Sequence, residues 1–250
     1  MKPSLIFCSV GQALPTDGKY ADNHWRRIDR GHREYETFIV NYAHESGFKA
    51  EPYSYDDGLE EKGYKWPLAL KFLKAGGQEL IDRYEYIGIW DDDVQTSIEA
   101  VNHSLIMAHN LNAKIWQLSL SKESETRWEF LKNNPELAFS FTNFAEIMCP
   151  VYHTSLIPMM IEFWEMYDFK MGWGFDTTVC ELAESPAMII HSHEMYHPSR
   201  EESTYDKTAA FEEMRQCIHE AYPAYCKKHF GLDTVLKDRQ IVYNEVKRII

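Results

Sequence analysis

Short apolar runs alternate with longer stretches of helical spacing along most of this chain. Residues 5–10 read as a buried strand, followed by a polar loop over residues 11–23. Residues 26–46 place Ile28, Tyr35, Phe38, Ile39 and Tyr42 on one helical face, with Gly47 as its C-cap. A second strand is expected at 48–55, closed by Asp56-Asp57-Gly58, and a second helix at 67–84, interrupted at Gly76-Gly77. Ile87-Gly88-Ile89-Trp90 has the apolar continuity of a strand buried on both faces. Beyond it the pattern predicts a helix at 97–110, a strand at 114–120, a polar helix at 123–133 and an extended apolar stretch at 139–152. A core helix at 155–167, a helix at 177–184 and a short strand at 187–190 follow. Two amphipathic helical stretches, 210–222 and 235–249, close the chain. This alternation predicts an α/β domain with a mainly parallel central sheet flanked by helices. With no repeat or linker, a single domain over residues 1–204 with a helical extension over 205–250 packed on it is the expected division.

The chemistry begins where the central strand ends, at Asp91-Asp92-Asp93. Burying charge is costly, so the triplet belongs just past the strand, in a cleft. If the chain stays extended, Asp91 and Asp93 point the same way and converge while Asp92 points elsewhere. Two such carboxylates repel unless a hard divalent cation lies between them. The plain alternative is a solvated acidic turn, and this stretch alone leaves both open.

Downstream, Gly172-Trp173-Gly174-Phe175-Asp176 is a tight loop that presents an indole and then an acid. Asp176 is either a carboxylate held beside an aromatic platform or simply the N-cap of the next helix. Residues 191–200 hold His191, His193, His197 and Arg200 after a predicted strand; their spacing does not match a closed zinc site, and a polar surface loop is the bland reading. Lys65, ahead of the second helix, could meet an anion or simply be solvated, and Asp56-Asp57-Gly58 could be no more than a turn.

Composition narrows the partners. A formal net charge of −13 over 250 residues argues against nucleic acid as a ligand. The 5 cysteines have no C-x-x-C spacing and read as reduced and buried. No secretory signal or membrane-length apolar run is visible, so a soluble, cytoplasmic protein is expected.

Asp91-x-Asp93 after a buried strand resembles the DxD motif of GT-A glycosyltransferases, and Gly172-Trp173-Gly174-x-Asp176, behind Glu146-Ile147-Met148-Cys149-Pro150-Val151, is similar to the GWG-plus-acid motif of inverting members. His197-Pro198 is placed like the histidine that often completes the metal site there. The order Lys65-Trp66, Trp90 to Val94, Glu146 to Tyr152, Met171 to Asp176 and His197 is closer still to the uncharacterised DUF-seven-oh-seven family. The resemblance runs from about Leu5 to Arg200; where related galactosyltransferases carry further acids after the GWG segment, this chain has Thr177 and Thr178.

The resemblance implies a single GT-A-like, Rossmann-like domain that transfers a sugar from a nucleotide-diphosphate donor, with a UDP-sugar expected, to an acceptor hydroxyl with inversion. Asp91, Asp93 and His197 would hold Mn2+ (or Mg2+). Asp176 would be the general base. Lys65 and Arg200 would face the donor phosphates, Ser9, Val10, Gly11 and Asp57 its base and ribose, and Asp92 would also belong to the donor side. Trp173, Gly174 and Glu146 would form the acceptor side. A saccharide or lipid-linked acceptor is implied, in surface polysaccharide or glycoconjugate synthesis. Val235, Leu236, Val242, Val246 and Ile249 beside Lys237, Arg239, Lys247 and Arg248 make the last stretch a packed helix, a homodimer contact or an anchor at the inner face of a membrane. A catalytically inactive sugar- or nucleotide-binding protein of the same fold is the alternative, and a metal-dependent phosphohydrolase a further one.

Overall fold

The structure is a computed structural model and describes residues 1–199, 206–234, 236 and, for the backbone, 242–247. Its strands are β1 (Ser4–Val10), β2 (Tyr35–Asn41), β3 (Asp57–Glu60), β4 (Tyr86–Asp91), β5 (Ile115–Leu120), β6 (Leu137–Thr142), β7 (Val151–His153), β8 (Ala187–Met195) and β9 (Val242–Lys247). The helices are α1 (Lys65–Arg83), α2 (Ile98–Asn110), α3 (Ile157–Trp164), α4 (Phe175–Leu182), α5 (Lys207–Gln216) and α6 (Tyr222–Phe230). Among the described residues these strands join one sheet in the order β3-β2-β1-β4-β7-β5-β8-β6-β9. Only β6 and β7 run against the rest, so the sheet is mainly parallel in direction, as the pattern predicts.

Side chains of a strand alternate between faces, and the core divides accordingly. Leu5, Phe7, Ile87, Ile89, Ile115 and Ala187 pack with α1, α3, α4 and the segment from Cys217 to Cys226. Ile6, Cys8, Tyr86, Trp90, Trp116 and Met188 pack with α2 and with Trp25. Phe175 lies at the centre of the first face, its ring 4.8 Å from Trp164, 5.8 Å from Trp66 and 6.0 Å from both Tyr152 and Phe163. Among the described residues no helix is long and apolar enough to cross a membrane.

Several expectations are corrected. Residues 26–46 form no helix; Tyr35–Asn41 is β2, because Tyr35 and Ile39 face α2 while Val40 faces α1, a period of two that outweighs the helical spacing. The strand expected at 48–55 is a short 3-10 turn at Pro52–Ser54, and β3 follows it. The polar helix at 123–133 is reduced to a single 3-10 turn, Glu129–Leu131. The extended stretch at 139–152 divides into β6 and β7. β8 continues to Met195, so His191 and His193 lie on the strand rather than in a loop beyond it.

The tail is not helical throughout. Within the expected helix at 235–249, residues 242–247 are β9, paired antiparallel with β6, in keeping with the strand preference of Val242, Tyr243 and Val246. Residues 235, 237–241 and 248–250 lie outside the described residues. A sheet strand in the middle of that stretch removes the amphipathic helix on which a membrane anchor would rest. The expected break in α1 is present: Gly77 has φ 46 and ψ −127.

Truncating Phe175 should unsettle the first face as a whole. Phe175→Ala is expected to lower unfolding free energy by about 3–5 kcal/mol, read as a lower denaturant midpoint at unchanged slope. A loss under about 1 kcal/mol would mean that this cluster is not the core.

Candidate active site

β4 ends at Asp91, level with Ser9 of β1. Asp91 continues the parity of Ile87 and Ile89 and therefore points to the α1 side. There it meets Lys65, the first residue of α1, whose Nζ lies 2.7 Å from Asp91 Oδ1 and donates to the Ile147 carbonyl at 2.6 Å. The chain then turns at Asp92 and Asp93. Strand alternation ends at Asp91, so it does not fix where the Asp93 side chain points.

The two remaining acids find separate partners. Asp92 Oδ2 accepts from the backbone N–H of Gly11 at 2.7 Å and of Gln12 at 3.1 Å, which pins the loop after β1 to the end of β4. Burial raises its carboxyl to about 6, a shift opposed by the Gly11 hydrogen bond and reinforced by Asp93 and Asp91. Asp93 is buried and turns to the end of β8, its Oδ2 3.6 Å from His197 Nε2. His197 is held by its backbone N–H to Ser124 Oγ at 3.0 Å.

The acidic loop behind these residues is shaped by two glycines with positive φ, Gly172 at 79° and Gly174 at 93°. A Cβ on Gly172 would strike the Trp66 indole, and one on Gly174 would lie 2.7 Å from Cys217 Cβ. Glu213 of α5, itself buried, accepts from the backbone N–H groups of Lys170 at 2.7 Å, Met171 at 3.0 Å and Gly172 at 2.5 Å. The C-terminal segment thus sets this loop from outside. Gly174 is the N-cap of α4, so Asp176 is the second residue of the helix and not its cap.

The Asp176 side chain accepts from Thr177 Oγ1 at 3.1 Å, and its carbonyl accepts from Ala145 N–H at 3.0 Å, beside Glu146. Glu146 is pushed up to about 8, first by burial and next by the Asp176 charge. Its backbone N–H donates to Gln117 Oε1 at 2.7 Å. Trp173 is half-buried, with its ring edge-on to Phe211 at 5.1 Å.

The sheet's carboxyl end therefore gathers Lys65, Asp91, Glu146 and Asp176 on the α1 side, and Asp93 with His197 beside β8. Ser9 and Val10 are buried strand residues beneath the first loop, and Gly11 meets the site through its backbone. Asp57 does not join. It pairs with Phe38, two residues below the rim, roughly 14 Å and three strands from β4, and its carboxylate accepts from Gly58 N–H. Arg200 lies outside the described residues. Two cavities, about 650 and 310 Å3, run along α2 and His193 instead of over the carboxylates, and their size does not outweigh the chemistry gathered at the strand ends.

Sequence reading missed Glu213 and Gln117. Glu213 follows Glu212, an exposed partner of Arg215, and nothing in the pair shows which of the two turns inward. Gln117 sits unmarked inside an apolar strand.

Among the described residues no trio of His, Cys, Asp or Glu side chains is close enough to hold a metal ion. Asp91 instead pairs through Oδ1 with Lys65. The Asp93–His197 pair still fits a hard cation bound by one or two protein ligands plus substrate phosphates. His197 Nδ1 is buried with no hydrogen-bond partner among the described residues.

The architecture is that of a GT-A-like α/β domain. The solved structure of TarS from S. aureus shares this fold at 11% identity and a TM-score of 0.50, over 93% of this chain and 44% of that one. This chain thus spans less than half of that TarS chain. TarS 1-349 from S. aureus in complex with UDP-GlcNAc is similar at 12% identity and a TM-score of 0.49, over 93% of this chain and 74% of that one. A197 from STIV is similar at 13% identity and a TM-score of 0.38, over 79% of this chain and 86% of that one. At these identities the likeness is one of fold. No family model and no curated protein matches the chain, so nothing beyond the motifs supports the resemblance to the DUF-seven-oh-seven family.

Glu146 makes the site sensitive to pH. Between the ordinary glutamate value of 4.5 and about 8, the folded chain holds a proton that the unfolded chain has released. This group's contribution to stability therefore falls as pH rises across that window and is level outside it. Glu146→Gln, which mimics the neutral acid, should gain in melting temperature relative to wild type from about pH 5 to about pH 8. A difference that stays constant over that range would leave Glu146 an ordinary carboxylate.

Proposed function

We propose that the protein is a glycosyltransferase that moves a sugar from a nucleotide-diphosphate donor to an acceptor hydroxyl with inversion. The observation that carries this reading is the meeting of Asp176 with Glu146 and the Lys65–Asp91 pair at the carboxyl ends of a GT-A-like sheet, where open α/β sheets bind ligands.

Asp176 takes the proton of the acceptor hydroxyl as its oxygen attacks the anomeric carbon. The bond from that carbon to the diphosphate breaks on the opposite face, and the nucleoside diphosphate leaves with the electron pair. Glu146, protonated below about 8, donates a hydrogen bond on the acceptor side while Asp176 stays charged. The loop after β1, pinned by Asp92, shapes the floor of the nucleotide site. Asp93 and His197 would hold Mn2+ or Mg2+, which would supply positive charge to the diphosphate. Trp173 is a wall of the acceptor site. TarS has been solved with UDP-GlcNAc, which makes UDP-sugars the first donors to try. Synthesis of a surface polysaccharide or glycoconjugate, from a saccharide or lipid-linked acceptor, is the setting proposed.

Nucleotide-sugars screened by thermal shift test the donor half. A true donor at 100 times its Kd with Mn2+ should stabilise the fold by about 2.7 kcal/mol, and Asp93→Asn should lose the metal-dependent part. If no nucleotide-sugar stabilises the protein with or without a divalent cation, the reading fails.

Asp176→Asn tests the chemical step. Its turnover number should fall about 10²- to 10⁴-fold, the usual cost of removing a general base, with donor affinity unchanged. Normal turnover would pass the role of base to Glu146.

A further inference from the structure

Beyond Trp173 the acceptor side continues into a small rim built from three separate elements. Phe211 of α5 is 43% exposed and meets the Trp173 ring edge-on at 5.1 Å. The guanidinium carbon of Arg127 lies over the Phe211 ring at 5.9 Å from its centre. Arg127 is exposed, and among the described residues it forms no ion pair. In a chain of net charge −13 that is a notable allocation of a cation.

The rim is fixed to the site at each corner. Glu213, two residues beyond Phe211 on the same helix, holds the loop that carries Trp173. Arg127 follows Ser124, whose hydroxyl accepts from His197 N–H, and Glu125, whose N–H donates to the His197 carbonyl at 3.2 Å. It precedes Trp128, whose ring packs 5.1 Å from Phe144, two residues from Glu146. Trp173, three residues before Asp176, thus connects Phe211 and, through it, Arg127 to the loop that carries the acid.

From this arrangement we infer that Trp173, Phe211 and Arg127 form an acceptor subsite for an anionic saccharide. The two rings offer apolar faces and edges for a sugar ring. The planar, always charged Arg127 offers paired donors for a carboxylate, phosphate or sulfate on that sugar. This rests on the glycosyltransferase reading for the word acceptor, but the binding claim stands on the rim alone.

Titrations with four probes test it: methyl β-glucuronide against methyl β-glucoside, and glucose 6-phosphate against glucose. Binding is followed by NMR on the intact protein, with the Trp173 indole signal assigned through Trp173→Phe. Wild type should bind at least one anionic member about three- to fivefold more tightly than its neutral counterpart at low salt, with the advantage fading in high salt. The member that shows it distinguishes carboxylate from phosphate. Arg127→Gln should lose the preference while keeping affinity for the neutral sugars, and Phe211→Ala should weaken all four probes. Equal binding of charged and neutral sugars by wild type overturns the inference, and so does a preference that survives in Arg127→Gln. Nucleotide-sugar thermal shifts, run alongside, separate the two failures. If UDP-sugars stabilise the protein but the rim shows no charge preference, only this inference falls. If no nucleotide-sugar binds but the charge preference is present, the subsite stands and the glycosyltransferase reading falls.

Discussion

Three adjacent carboxylates at the end of a buried strand cannot share one environment, and the site is organised by how they are separated. Asp91 keeps the strand's parity and takes a lysine; Asp92, on the turn, takes two backbone N–H groups; Asp93 swings to a histidine at the end of β8. Each contact ties β4 to a different part of the fold: α1, the loop after β1, and the far half of the sheet. Mutual repulsion among the acids is thereby turned into three cross-links around one strand end. Asp92 shows the strain that remains, since burial and its two neighbours together raise its carboxyl to about 6.

The other half of the site depends on chain that lies after it in sequence. A loop with two positive-φ glycines has no intrinsic reason to hold one shape. Trp66 fills the space below Gly172, and Cys217 fills that above Gly174. Glu213 then closes the loop by accepting from three consecutive N–H groups, contacts worth more than neutral hydrogen bonds because the acceptor is a carboxylate. The residues from Cys217 to Cys226 belong to the same core as β1 and β4. The C-terminal segment is thus a structural part of this loop's support.

How much was legible in the sequence follows from which forces act locally. Buried strands β1, β4 and β5 were readable because continuous apolar character is a local property, and so was the break in α1 at Gly77. β2 was misread because its faces are distinguished only by the sheet on which it lies. The candidate site residues stand out in the sequence by type and order, yet their partners do not. That Lys65 would meet Asp91 instead of solvent, or that Asp176 would sit inside the helix turn instead of capping it, depends on where β4 and α4 end. Helix and strand ends are what sequence patterns resolve least well. Glu213 left no signal because its partners are backbone N–H groups, which every sequence has.

The balance of charge at the strand ends bears on how a diphosphate could enter. Asp91, Asp92, Asp93 and Asp176 all lie at this end of the sheet, and a donor adds further negative charge to them. Lys65 is the nearest ammonium, but Asp91 already holds it at 2.7 Å. A phosphate that drew Lys65 away would leave Asp91 without its partner, so the lysine by itself gains little for the ligand. Glu146 eases the crowding by keeping its proton up to about 8, which removes one charge beside Asp176. On the proposed reading, Asp93 and His197 answer the remainder: a buried carboxylate and an imidazole can offer a divalent cation two ligands while donor phosphates fill other positions. Cation and donor would then bind together more favourably than either alone, because each lowers the repulsion that the other meets. On that reading, a site offering only Asp93 and His197 would leave room for a substrate to complete it.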